Sequence, residues 1–315
     1  MTPRYGWLCA FVAFALAGSA SAQAVADPVQ APAVAPPAAT PPGADQTPDM
    51  KLMRSVSSRL TLAVSIDGQG PYDFLIDTGS DRTVISRELA TALKLAPGPV
   101  VHMQESTGED LVQTVHIPQL QVGTRTLADI DAPAVAAADL GAAGMLGVDA
   151  LRDLHIVMDF KTMRLSSSPS HWEPDSPGTI VVRGKNRLGA LILVDAEIRG
   201  IPVLVVVDSG AELTVGNSAL LRLLLGRPAD ANAIGQGAVT GVTGRVVPVS
   251  LEYIPTAHIG GLEIHDMTLG FADLPVFERF GLSRQPAILL GMDVMSHCRK
   301  VSVDIHRREA TFELN

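Results

Sequence analysis

The chain has 315 residues, with 24 Lys and Arg against 33 Asp and Glu, and a net charge of −9. That balance, with no basic run to offset it, argues against a nucleic-acid partner. Hydrophobic residues make up 47% of the chain but aromatics only 4%, and Gly and Pro are frequent, which points to many short strands.

Residues 1–22 read as a signal peptide. Arg4 supplies the positive start, the stretch from Trp7 to Leu16 is a short apolar run, and Ala20-Ser21-Ala22 is a small-x-small cleavage site. Export to the periplasm or the extracellular space is the expected consequence, with membrane attachment only if the segment stays uncleaved. Residues 23–50 are dominated by Ala and Pro, cannot bury a core and are expected to form a disordered linker. Cleavage would leave Cys298 as the only cysteine, so no intramolecular disulfide is expected and the thiol is expected to be buried as a small apolar group.

From there the chain reads as a duplication, with one lobe over 51–168, a linker over 169–178 and a second lobe over 179–315. In the first half, Leu60 to Ile66 alternates as a half-buried strand does. Asp67-Gly68-Gln69-Gly70-Pro71 marks a turn, Tyr72 to Ile76 is the return strand, and Asp77-Thr78-Gly79-Ser80 follows. In the second half, Leu191 to Ile198 is the predicted strand, Arg199-Gly200 the turn and Val203 to Val207 the return. Asp208-Ser209-Gly210-Ala211 follows.

The parallel continues down both halves. Ser86 is placed to cap a helix running through Leu93, and Asn217 or Ser218 to cap a Leu-rich helix to about Leu225. Each half then offers a polar hairpin, Glu105 to Glu109 and Thr240 to Gly244. Each has an apolar run ending in glycine before a short helix, at Met145-Leu146-Gly147 and Leu289-Leu290-Gly291. Asp149 and Asp293 are read as starting those helices. Each half closes on a hairpin-like pair whose turn begins at Asp159 or Asp304. The stretch from Ser166 to Gly178 reads as the boundary between halves.

An aspartate at the end of a buried strand is costly unless a partner or a task justifies it. Two at matching places suggest two carboxylates sharing one proton. Like charges a few ångströms apart cannot both ionise, so one takes a proton from water while the other donates to the substrate. The eight His residues show no His-Glu-x-x-His spacing, and the chain has neither a Gly-x-Ser-x-Gly elbow nor a phosphate-binding glycine loop. No metal or other cofactor is expected.

The run from Asp77 to Val84 resembles the active-site phrase of retroviral-type aspartic proteases, and the run from Asp208 to Val215 resembles a second copy. The apolar-Gly phrases ending at Gly147 and Gly291 resemble that family's other core signature. The whole is similar to bacterial retropepsin-like aspartyl proteases with two fused lobes.

The resemblance implies a mainly β fold: two acid-protease β-barrel lobes related by pseudo-two-fold symmetry, with short helices. It implies an aspartic endopeptidase with Asp77 and Asp208 as the catalytic pair. Thr78 and Ser209 would link the two loops, and Gly79 and Gly210 would permit the turns. Thr107, Gly108, Thr243 and Gly244 would lie on flaps. The substrate would be a polypeptide bound as an extended strand, and the chain a monomer whose lobes pair internally. Ser80 against Ala211 makes the pair unequal, so Asp77 is expected to be the ionised member. A non-catalytic peptide-binding module on the same fold is the alternative.

Overall fold

The structure is a computed structural model that describes residues 61–123, 125–171, 178–188, 190–226 and 235–314. The expected signal peptide and Pro-rich linker lie outside the described residues.

The first lobe opens with the hairpin Thr61–Ile66 and Gln69–Ile76, paired from Thr61 with Leu75 to Ile66 with Gln69. The return arm starts three residues earlier than Tyr72, because Gln69 already pairs with Ile66. Phe74, Leu75 and Ile76 are all buried, and Asp77 leaves the strand directly after them. Gln69–Ile76 lies parallel to Gly144–Leu146, which is antiparallel to Val84–Ser86. Val84–Ser86 runs parallel to Arg125–Val135, and Arg125–Val135 hairpins with Gly108–Val122. Gly108–Val122 returns to the first strand, Val64 opposite Val122, and closes a six-stranded barrel. Closure leaves the barrel without a free edge. Ala96–Glu105 pairs with the far end of Gly108–Val122 and projects as a hairpin beyond it.

Ser86 caps the helix Arg87–Ala92 by accepting the Leu89 N–H at 3.1 Å. Asn217 does the same for the helix Ser218–Leu225 through Leu220 N at 3.0 Å. Both caps satisfy N–H groups that the first helical turn leaves without partners.

The second lobe repeats the plan, but both arms of its opening hairpin are broken, the return arm into Ile201–Pro202 and Leu204–Val207. The segment predicted as a single strand from Leu191 to Ile198 is two strands, Ala190–Leu193 and Ala196–Ile198. The first pairs with Leu204–Val207 and the second with Val246–Ile259. The chain bends at Val194-Asp195, where Gly260 N donates to the Asp195 carbonyl, so that each segment meets its own partner. The bend keeps Leu191, Leu193 and Ile198 in one apolar core. Val246–Ile259 also pairs with Gly235–Thr240 to make the second projecting hairpin.

The halves join edge to edge. Leu154–Asp159 pairs with Lys300–Asp304, setting Asp159 opposite Lys300, Val157 opposite Ser302 and His155 opposite Asp304. Val157 and Ser302 each lie two residues before the aspartate that opens their closing turn. The two copies therefore face each other at equivalent positions, as a two-fold relation requires. Asp159 accepts Thr162 N and Asp304 accepts Arg307 N, so both aspartates hold turns. The hairpin partners Arg164–Pro169 and Glu309–Glu313 flank this pair, and Thr179–Arg187 extends it. Ser166, Ser167 and Ser168 belong to Arg164–Pro169, so the boundary between halves starts later than Ser166. Backbone pairing outweighs the turn-like composition there. Cys298 is buried, and burial pushes its thiol up to about 11.

Candidate active site

Asp77 and Asp208 each lie at the end of a central strand and are fully buried. Asp77 N donates to the Leu146 carbonyl at 3.0 Å, and Asp208 N to the Leu290 carbonyl at 3.1 Å. Each loop then folds its own N–H groups back. Gly79 N and Ser80 N reach Asp77 Oδ1 at 2.8 and 3.0 Å, while Gly210 N and Ala211 N reach Asp208 Oδ1 at 2.9 and 3.2 Å. Two N–H donors on one oxygen repay part of the cost of burying a carboxylate.

The loops are locked to each other by the residues between Asp and Gly. Thr78 Oγ1 donates to the Val207 carbonyl at 2.8 Å, and Ser209 Oγ donates to the Ile76 carbonyl at 3.0 Å. In return Ser209 N donates to Thr78 Oγ1 at 3.2 Å and Thr78 N to Ser209 Oγ at 3.3 Å. Neither Gly79 nor Gly210 has a positive φ. What bars a side chain at 79 is Asp208: a Cβ there would lie 2.8 Å from its carboxyl carbon.

Gly147 and Gly291 sit under the Asp loops. A Cβ at 147 would overlap the Arg82 backbone, and one at 291 would lie 2.7 Å from the Leu213 carbonyl carbon. That closeness lets Val148 N bond the Ser80 carbonyl and Met292 N bond the Ala211 carbonyl, both at 2.8 Å.

Two supports were missed by sequence reasoning. Asp149 accepts Thr83 N at 3.1 Å and Thr83 Oγ1 at 2.9 Å, while Asp293 accepts Thr214 N at 2.9 Å and Thr214 Oγ1 at 2.6 Å. Each threonine hydroxyl in turn accepts the N–H of the nearby glycine, Gly147 or Gly291. The repeat itself carried the clue, since Thr and Asp recur at matching places in both halves. A third support crosses the lobes: Arg279 of the helix Pro275–Arg279 pairs with Asp81, four residues after Asp77.

Burial pushes Asp208 up to about 7, against the neighbouring Asp77 carboxyl and the N–H groups of Gly210 and Ala211, which pull the other way. No N–H or hydroxyl among the described residues reaches Asp208 Oδ2. Ser80 Oγ lies 2.9 Å from the Arg82 carbonyl and 3.4 Å from Arg82 N.

The projecting hairpins carry Thr107 and Gly108 at one tip and Thr243 and Gly244 at the other. Val242 is buried in a first-lobe cluster with Leu75, Val84, Met103 and Met145. Leu75 lies two residues before Asp77, and Met145 two before Gly147, so the second hairpin reaches the face from which Asp77 leaves its strand. Among the described residues, no group of three or more His, Cys, Asp or Glu could hold a metal ion.

The family model described as "gag-polyprotein putative aspartyl protease" matches residues 62–153, and the model described as "Aspartyl protease" matches residues 194–294. The chain carries two retropepsin-like aspartyl protease domains in tandem. Each match spans one Asp loop and its apolar-Gly phrase. The paired aspartyl protease domains support aspartic protease activity in general terms. No curated protein matches the chain.

Proposed function

We propose that the protein is an aspartic endopeptidase in which Asp77 and Asp208 together activate a water molecule. The observation that carries this reading is the double grip of Thr78 and Ser209, which holds two fully buried carboxylates at equivalent strand ends. Asp208, raised by burial, is the member that keeps the proton, and Asp77 is the carboxylate.

In the reaction Asp77 takes a proton from water as the oxygen attacks the peptide carbonyl carbon. Asp208 gives its proton to the carbonyl oxygen, and a tetrahedral diol results. Collapse of the diol breaks the C–N bond and protonates the amine, leaving one proton on the pair. An extended polypeptide is the fitting substrate, laid as a strand beneath the hairpins. These must open to admit it, because both aspartates are buried. The short apolar run and small-x-small site near the N-terminus support action on proteins outside the cytoplasm.

The test is incubation of the mature chain with a peptide library between about pH 4 and about pH 7, the range for a shared proton. Peptide binding without cleavage in the unaltered chain would instead support a non-catalytic peptide-binding module.

A further inference from the structure

The tips of the two hairpins meet through ionisable groups. Thr243 Oγ1 lies against Glu105 Oε1 and stands 2.8 Å from Asp110 Oδ2, while Thr243 N donates to Glu105 Oε2 at 3.3 Å. Arg245 Nη2 binds Asp110 Oδ1 at 2.9 Å and the Glu109 carbonyl at 3.3 Å. Glu105 is fully buried, although it sits at a hairpin tip. The fit is close: a Cβ at Gly241 would overlap Glu105 and Thr107, and one at Gly108 would lie 2.6 Å from Arg245 Nε.

A hydroxyl has one proton to give. Thr243 can therefore donate to only one of the two carboxyls, and the other contact needs a proton on the carboxyl itself. Asp110 has Arg245 as its counter-ion, 2.9 Å away. No cation lies within ion-pair distance of Glu105 among the described residues.

We propose that Glu105 is a positioning residue of the peptidase: as a neutral acid it donates to Thr243 and latches the two hairpins shut over Asp77 and Asp208, and its ionisation releases them. The catalytic consequence rests on the endopeptidase reading. The latch itself does not.

Burial pushes the Glu105 carboxyl above its ordinary value, and the nearby charge of Asp110 adds to the rise. The other ionisable groups around the contact are Glu109, which pairs with His102 at 2.9 Å, Arg245, and Asp139 beside Gly244. A group whose closed-state pKa is raised favours closure below its ordinary pKa. That preference is lost as pH rises through the raised value. Acid therefore shuts the latch in the same direction that keeps a proton on the Asp77–Asp208 pair.

Backbone hydrogen exchange on the full chain tests the latch without relying on cleavage. Protection of residues 106–110 and 241–245 in the unaltered chain is expected to fall about tenfold or more between about pH 5 and about pH 8. Glu105→Gln keeps the shape and an N–H donor for Thr243 but cannot ionise, so its protection should hold across the range. Thr243→Val should be unprotected at both ends. If peptides are cleaved, KM of the unaltered chain should fall across that window as the released hairpins admit substrate and KM of Glu105→Gln should stay flat, with kcat alike in the two. Protection that falls equally in the unaltered chain and in Glu105→Gln, or in neither, overturns the latch. A chain that cleaves nothing yet shows the exchange difference overturns only the peptidase reading.

Discussion

Thr78 and Ser209 hold each other across the lobe boundary. Each hydroxyl accepts the other's backbone N–H and donates to the carbonyl just before the other's aspartate. The spacing of Asp77 and Asp208 therefore depends on four hydrogen bonds between residues 129 to 133 positions apart in the chain. Replacing Thr78 by Val keeps the volume but leaves the Val207 carbonyl and Ser209 N buried without their partner. Chemical denaturation should show a loss of about 2 kcal/mol or more. Peptide hydrolysis should lose kcat more than it raises KM, because what changes is the geometry of the acid pair.

Asp77→Asn and Asp208→Asn remove one carboxyl each at constant shape. Each should cut kcat by about 1,000-fold or more, since proton transfer by either member is lost. Far-ultraviolet circular dichroism should superpose on that of the unaltered chain. Activity retained in either variant would remove that residue from the chemistry.

Asp208 also makes stability depend on pH. Its pKa is raised by burial to about 7 in the folded chain. The folded state thus binds this proton more tightly than the unfolded chain does. The stabilising contribution is full below the ordinary carboxylate range and is lost as pH rises through about 7. Thermal unfolding of Asp208→Asn should lack this loss, so the variant should melt above the unaltered chain at about pH 8 and lose the advantage at about pH 4.

The core glycines differ sharply from those in open turns. Gly147→Ala would drive a Cβ into the Arg82 backbone, where no flexible side chain can yield. A cost of about 3 kcal/mol or more is expected, with failure to accumulate as soluble protein the extreme outcome. Gly200 has a φ of +80° but open space around its Cα, so Gly200→Ala should cost only about 1 kcal/mol from backbone strain. Equal melting temperatures for the two variants would refute the packing argument.

Arg279 and Asp81 join the helix of one lobe to the Asp loop of the other. Asp81 is raised by burial, with Arg279 the largest opposing influence. Arg279→Ala should leave Asp81 without that cation and cost about 3 kcal/mol, read from denaturant midpoints. Pairing it with Asp81→Asn should recover part of that loss, because the stranded charge is then gone.

The sequence by itself determined where the two aspartates fall, that they stand in a repeat, and that a glycine-ended apolar run accompanies each. These are local matters. Strand periodicity, turn residues such as Asp67-Gly68 and Arg199-Gly200, and the caps at Ser86 and Asn217 all act within a few residues. The same local view could not see the bend at Val194-Asp195, because an unbroken apolar run does not say that its two ends must pair with different strands. Nor could it assign Asp149 and Asp293 to Thr83 and Thr214, or Arg279 to Asp81, since those partners meet only after the chain has folded back on itself. Ser80 against Ala211 is a local difference and carries no information on solvent exclusion. The rise of Asp208 comes from desolvation, which depends on every group that excludes water from the site. The contact of Glu105 with Thr243 is of the same kind. Two hairpin tips that look polar and exposed in the sequence bury a carboxyl only because the lobes bring them face to face.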